Sequence, residues 1–354
     1  MGALLESHEC GHGGVDAVFP SDVVAGSQYA AGAVASYRNR FLAKLRSIAG
    51  FDSRVEAIHV QVYDFPFHFP SSQPSLFDGH APASWLDETT MANPLSKAKL
   101  SSLRKLQSKK YRETEGKFLI EGWHLLDEAI KADMALRAVV FEDGRALSDS
   151  DASIREAAVR RATEVYVAQE SQVKALSDTR TSPGVVSVID RLPDRLESII
   201  GGAGAADRGF VVALDGVSDP GNCGSIVRAC DWFGVDAVLF GEACSEIENG
   251  KLVRATMGGL FHLPLARTNR LTADLGRLKE NGYRIVASSL GDSVSLDAFQ
   301  WPEKTVLVIG NEARGVSEEI LEQSDSRVRI PGYGEGESLN AAMAASVMLG
   351  HWRI

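Results

Sequence analysis

From residue 117 onward, short apolar runs alternate with stretches whose apolar positions recur at helical spacing. Lys117-Phe118-Leu119-Ile120-Glu121-Gly122 predicts a strand entering a turn, and Leu125, Leu126 and Ile130 predict the helix after it. Val139-Val140-Phe141 and Val165-Tyr166-Val167 predict further strands, and Pro183-Gly184-Val185-Val186-Ser187-Val188-Ile189 closes that unit. Beyond Phe210 the alternation is clearer. Apolar strands are predicted at 210–214, 237–240, 284–288, 306–309 and 327–330, and helices near 223–233, 247–256, 271–281, 317–323 and 338–352. Runs that are apolar throughout, rather than at every second position, predict a parallel sheet covered on both faces. Strand–helix alternation in both parts predicts α/β architecture.

This pattern divides the 354-residue chain. A small α/β unit is expected at 91–190, a linker at 191–207 with the flexible run Gly201-Gly202-Ala203-Gly204-Ala205-Ala206, and a larger α/β domain at 208–354. Residues 1–90 lack the pattern. Only 29–49 offers helical spacing, with Tyr37, Phe41 and Leu45, and Phe65-Pro66-Phe67-His68-Phe69-Pro70 is rich in Pro and Phe. Met91-Ala92-Asn93-Pro94 looks like a natural start of translation, so 1–90 is expected to be a disordered extension or a misassigned upstream reading frame.

Composition narrows the class. No run approaches the roughly 18 apolar residues of a membrane-spanning helix, and no secretory signal pattern opens the chain. Cys10, Cys223, Cys230 and Cys244 show neither metal nor redox spacing. A reducing, cytoplasmic setting is expected, with no membrane and no metal. The net charge of −10 excludes a globally basic nucleic-acid binder but leaves room for a local basic surface. Residues 96–112 offer one: Lys97, Lys99, Arg104, Lys105, Lys109, Lys110 and Arg112, with Leu100, Leu103 and Leu106 as a helical stripe. A solvated helix face and a phosphate-contacting face both fit that run. His8-Glu9-Cys10-Gly11-His12 matches a zinc-protease pattern literally. The glycines at 11, 13 and 14 oppose the helix that would put both histidines on one face.

Candidate chemistry concentrates in three segments where predicted strands end. The first is Asp219-Pro220-Gly221-Asn222-Cys223-Gly224 leading to Arg228. Asn222 suits a helix cap. Arg228 lies between Val227 and Ala229 on a packed helix, and a semi-buried arginine there calls for an anion or acceptors. The second is Gly310-Asn311-Glu312-Ala313-Arg314-Gly315. It lacks the Lys-Ser/Thr of a P-loop, and Glu312 would repel a diphosphate, so a cationic or ribosyl ligand is expected; capping of a backbone amide is the other reading of Glu312. The third is Ile330-Pro331 with Ser338-Leu339-Asn340, before a helix of small residues. Ser338 is expected as its cap and Asn340 in its first turn.

In order and spacing these segments resemble the motifs of the SpoU/TrmH family of RNA 2′-O-ribose methyltransferases, of the SPOUT class. Val253–Pro264 resembles the family's link segment, and Lys117–Ala129 resembles an L30e-like substrate-binding domain. The resemblance implies an α/β fold: a trefoil-knotted SPOUT-type parallel-sheet catalytic domain preceded by a small L30e-like α/β domain. It implies S-adenosyl-L-methionine as cofactor, a homodimer with the active site near the interface, and an RNA substrate, rRNA favoured over tRNA. Catalytic roles carry over to Asn222, Arg228, Glu312, Ser338 and Asn340. Arg228 either helps deprotonate the ribose hydroxyl or only orients it. Cofactor contacts carry over to Ser289, Leu290, Ile309, Gly310, Asn311, Glu312, Gly315, Ile330, Pro331, Ser338, Leu339 and Asn340. A tRNA methyltransferase and a non-catalytic RNA-binding assembly factor are the alternatives.

Overall fold

The computed structural model describes residues 92–202 and 207–354. The expectations for 1–90, including the helix at 29–49 and the zinc-like pattern, lie outside the described residues.

The small lobe opens with β1 (Asn93–Pro94) and continues α1 (Lys97–Arg104), a 3-10 turn (Lys105–Gln107), α2 (Lys109–Glu115), β2 (Lys117–Glu121), α3 (Trp123–Lys131), β3 (Leu136–Glu142), α4 (Asp149–Arg161), β4 (Glu164–Ala168), α5 (Glu170–Ala175) and β5 (Val185–Asp190). Its sheet order is β1-β4-β3-β5-β2, with β5 antiparallel to both neighbours. The basic run is two helices rather than one, because Ser108 is extended between them. Leu103 and Leu106 are buried as the stripe predicted. Helix α4 carries only a weak apolar signature: of its 13 residues only Ala158 is buried, with Ile154 and Val159 partly so.

The expected linker is partly structured. Helix α6 (Leu196–Gly202) buries Ile200, and Leu196 and Ile199 pack on the large lobe. Arg277 donates to Glu197 at 2.6 Å and pins this helix.

The large lobe runs β6 (Gly209–Asp215), α7 (Pro220–Phe233), β7 (Ala237–Phe240), α8 (Gly250–Thr256), α9 (Gly259–His262), β8 (Leu265–Arg267), α10 (Leu271–Glu280), β9 (Arg284–Ser288), β10 (Val294–Ser295), β11 (Lys304–Gly310), α11 (Glu318–Gln323), β12 (Ser326–Arg329) and α12 (Ala341–Arg353). Seven parallel strands lie in the order β10-β12-β9-β11-β6-β7-β8. The strands β8 and β10 were not foreseen, since three and two residues are too few to show a period. Alternate residues of the central strands enter opposite cores. Val212, Leu214, Leu307 and Ile309 pack toward α7 and α12, and Val211, Ala213, Val306 and Val308 toward α10 and α11. Each fully buried aliphatic side chain of this size contributes roughly 1.5–3 kcal/mol. The apolar strands β6, β7, β9 and β11 are therefore covered on both faces, whereas β12, expected as apolar at 327–330, buries only Val328.

The chain leaves β6 toward β7 and β8 on one side and returns to β9, β11 and β12 on the other. The order reverses between β6 and β11, and open parallel sheets bind ligands at such a switch point, beyond the carboxyl ends of the strands. The first motif follows β6 and the second follows β11, so the fold places them side by side. Among the described residues, no helix is long and apolar enough to cross a membrane and no cluster of side chains could hold a metal ion.

Candidate active site at the strand ends

Asp219, not Asn222, caps α7: its Oδ1 accepts from the Asn222 backbone N–H at 2.9 Å, and Pro220 takes the first helical position. The Asp-Pro pair is the signal that identifies this cap from sequence. With the cap supplied elsewhere, the Asn222 side chain is available for tertiary contacts. Its Nδ2 donates to Glu312 Oε1 at 2.7 Å, and its Oδ1 accepts from Asn340 Nδ2 at 2.9 Å. One residue from each motif thus joins a single chain of hydrogen bonds.

The second motif folds back on itself. Asn311 and Gly315 exchange backbone hydrogen bonds of 3.0 and 2.8 Å. Gly310 permits this, because a Cβ there would sit 2.2 Å from the Gly315 carbonyl carbon and from the Val316 nitrogen. Asn311 Oδ1 accepts from the Ala313 and Arg314 backbone, and its Nδ2 donates to the Gly216 carbonyl at 2.8 Å, tying motif two to motif one. Asp215 accepts from the Ser317 N–H at 2.7 Å across the same gap. Glu312 accepts from the Asn222 side chain rather than from a backbone amide, so the amide-capping reading does not describe it.

The third motif differs from expectation in its cap. Helix α12 begins at Ala341, and Asn340 is its N-cap, accepting from Ala342 and Met343 at 2.9 and 3.3 Å. Ser338 is exposed two residues earlier. A serine before a run of small residues looks like a cap, but the chain turns helical only once Asn340 has done that work.

Ser289 and Leu290 follow β9, and Ile330 and Pro331 follow β12, so they share the edge of the sheet with Ile309 and Gly310. Ile309 and Gly310 are buried, Ser289, Ile330 and Pro331 half-buried, and Leu290 and Leu339 exposed. Arg228 corrects the expectation of a semi-buried guanidinium: it is exposed and, among the described residues, has no hydrogen-bond or ion-pair partner. The cause is helical phase. Cys223, Ile226, Val227 and Cys230 take the core face of α7, while Ser225, Arg228 and Trp232 take the outer one. The site therefore joins Asn222, Glu312 and Asn340 directly, and leaves Arg228 and Ser338 outside that chain.

Lys251 donates to Asp219 at 2.7 Å, and its ammonium holds that carboxyl below the usual range. Burial pushes the Cys223 thiol up to about 12 and the Cys244 thiol up to about 11, so neither is a nucleophile near neutral pH.

The basic run divides. Lys97, Arg104, Lys105 and Lys110 are exposed, and the first three line a shallow groove with Leu100. Lys99 pairs with Glu164, and Lys109 lies 3.8 Å from Glu113. Arg112 is a correction. It is buried, donates to the carbonyls of Leu106 and Gln107 at 3.0 and 2.8 Å, and makes a two-pronged pair with Glu246 of the large lobe. It joins the lobes and cannot reach a phosphate. The face of α2 that carries Arg112 meets that joint, which a count of charges along the chain does not reveal.

Residues 209–350 match the model of the SpoU rRNA methylase family, and 97–187 match an MRM3-like substrate-binding domain. The 23S rRNA (guanosine(2553)-2′-O)-methyltransferase RlmP of Bacillus subtilis is 32% identical over 256 residues, 72% of this chain and 96% of the relative. The AdoMet-bound rRNA methyltransferase from Sinorhizobium meliloti superposes with a TM-score of 0.64 at 27% identity, covering 73% of this chain and 95% of its own. The SpoU methyltransferase AviRb from Streptomyces viridochromogenes, in complex with AdoMet, gives 0.64 at 25% identity, over 72% and 97%. With the motif loops assembled at the switch point and this extent of similarity, the chain belongs to the SpoU rRNA methylase family.

Proposed function

We propose that the protein transfers a methyl group from S-adenosyl-L-methionine to a ribose 2′-hydroxyl of ribosomal RNA. The observation that carries this reading is the Glu312–Asn222–Asn340 chain at the strand ends. The chemistry of the loops fits the cofactor: Leu290 and Leu339 offer exposed apolar cover, and Glu312 places a carboxylate where a cation is favoured and a diphosphate is not. Ser289, Leu290, Ile309, Gly310, Asn311, Gly315, Ile330, Pro331 and Leu339 would hold it. When bound, the sulfonium supplies an already activated methyl, which leaves the protein the task of alignment.

Asn222 and Asn340 are each held through both ends of the amide, so they orient without reorganising. Ser338, two residues before Asn340, would add an exposed hydroxyl. Arg228 orients the ribose hydroxyl or a neighbouring phosphate. A guanidinium keeps its charge and is a poor base, so the proton passes to water or an RNA phosphate. On the small lobe, exposed Lys97, Arg104, Lys105 and Lys110 contact the RNA backbone.

A homodimer belongs to the same reading. Trp232 on α7 is 84% exposed, and Met343 and Val347 on the adjoining α12 are 58% and 45% exposed. Apolar surface of that kind, on two packed helices beside the site, fits an interface between copies. The trefoil knot and a cytoplasmic location are further parts of the reading. The small residues of α12, which let it lie close against α7, support the knot.

The test is single-turnover transfer of labelled methyl to rRNA and to tRNA from cells lacking the protein, followed by mapping of the modified nucleotide. Transfer to one rRNA ribose is expected. Transfer to tRNA alone, or to neither, would overturn the assignment.

A further inference from the structure

We infer that the segment from Glu246 to Met257 is a strut that fixes the RNA-holding lobe against the methyl-transfer loops, with Lys251 as the positioning residue at its catalytic end. The inference rests on the reading that the small lobe holds RNA.

One side of this segment grips the small lobe and the chain that leaves it. Glu246 accepts from Arg112 Nε at 3.1 Å, with both side chains 7% exposed. Glu248 accepts from Arg191, just past β5, at 3.2 and 3.3 Å. Arg254 donates to Glu121, the last residue of β2, at 2.6 Å. The Met257 carbonyl lies 3.0 Å from His124 Nε2 at the start of α3. Buried and partly buried ion pairs contribute little net stability, but the two-pronged pairs of Arg112 and Arg191 are directional. They specify where one lobe stands on the other.

The same segment also meets the first motif. Lys251 donates to one oxygen of Asp219 at 2.7 Å, and the other oxygen caps the Asn222 N–H at 2.9 Å. Helices α7 and α8 touch through their backbones. A Cβ on Gly224 would lie 2.5 Å from the Leu252 carbonyl oxygen and 2.6 Å from Ala255 Cβ. Contact that close cannot slide without the helices separating. The placement of the small lobe is therefore handed on through α8 to Asp219, then to Asn222, Glu312 and Asn340. An exposed pair such as Lys251–Asp219 contributes little to stability. Positioning, rather than stability, is its role.

The test uses the full chain, with rRNA from cells lacking the protein as probe. Lys251→Met is expected to lower the methyl-transfer kcat roughly tenfold to a hundredfold, as small misplacements do. Its melting temperature and its affinities for RNA and S-adenosylmethionine should stay at wild-type values, and Lys251→Arg should restore most of the rate. A wild-type kcat for Lys251→Met, or a loss confined to cofactor binding, would overturn the role of Lys251. The paired replacement Arg112→Met with Glu246→Leu keeps the seam filled without stranding a charge. It should retain RNA affinity while methylation slows or spreads to neighbouring nucleotides. Wild-type rate and position in that variant would overturn the strut. Neutralising Lys105 and Lys110 separates the two readings. Unchanged RNA affinity there would sink RNA binding by the small lobe, whatever Lys251→Met does.

Discussion

Glu312 accepts a hydrogen bond from Asn222 at 2.7 Å although 90 positions separate them. That contact exists only because β6 and β11 are neighbours in the sheet and point the same way. The Asn222 Oδ1 accepts in turn from Asn340 Nδ2, so its amide links the other two motifs.

Asn222→Ala should therefore reduce methyl transfer by roughly a hundredfold, the scale of losing a preorganised polar contact. The fold should survive, because a typical hydrogen bond contributes only about 0.5–1.5 kcal/mol. Single-turnover rates beside thermal melts test this. A double-mutant cycle with Asn340→Ala should give a coupling of roughly 0.5–3 kcal/mol, since the residues share a bond. Additive losses would show that the two act separately.

Arg228→Ala should abolish transfer while leaving folding and cofactor affinity intact. Its exposure makes the second part firm: surface changes of this type stay within about 0.5 kcal/mol. Arg228→Lys should fail as well, because an ammonium lacks the planar multi-donor fork. Near-wild-type transfer by either variant would remove Arg228 from the mechanism.

The basic run should split into two phenotypes. Arg112→Ala strands the buried Glu246 carboxylate and should destabilise the protein by roughly 3–5 kcal/mol. Removing charge at Lys105 and Lys110 should leave the melting temperature unchanged. It should instead weaken RNA binding and flatten its dependence on salt by about one log unit of slope per lost phosphate contact. Equal melting losses in both variants would contradict the division.

Glu248 should make stability sensitive to acid. Burial alone would raise its carboxyl, but Arg267 and Arg191 outweigh burial and hold it below the ordinary value of 4.5. A group whose folded value is depressed contributes stability above its unfolded value and loses it as pH falls through the folded one. Thermal melts from pH 7 down should thus steepen below about pH 4.5, and Glu248→Gln should melt lower at pH 7 yet change less across that window. A parallel profile for the variant would exclude this pair as the cause.

The sequence by itself determined the local events. Continuous apolar runs specified buried parallel strands, because only a sheet covered on both faces needs no polar side. Pro-Gly and glycine-rich loops marked the strand ends, and the motif spacing pointed to the family. Elements with a weak period stayed hidden: α4 is mostly polar with a thin apolar stripe, β8 and β10 are too short, and α6 sits in what composition suggests is a linker. Tertiary structure decided which polar residues meet. The Asn222–Glu312–Asn340 chain and the Arg112–Glu246 joint arise from strand order and lobe docking. Caps depend on where the backbone first turns helical, so Asp219 and Asn340 took the roles that composition offered to Asn222 and Ser338. Helical phase, read against the neighbouring sheet, decided that Arg228 faces solvent while Arg112 is buried. A charge states its chemistry in the sequence, but its partner and its exposure are properties of the packed molecule.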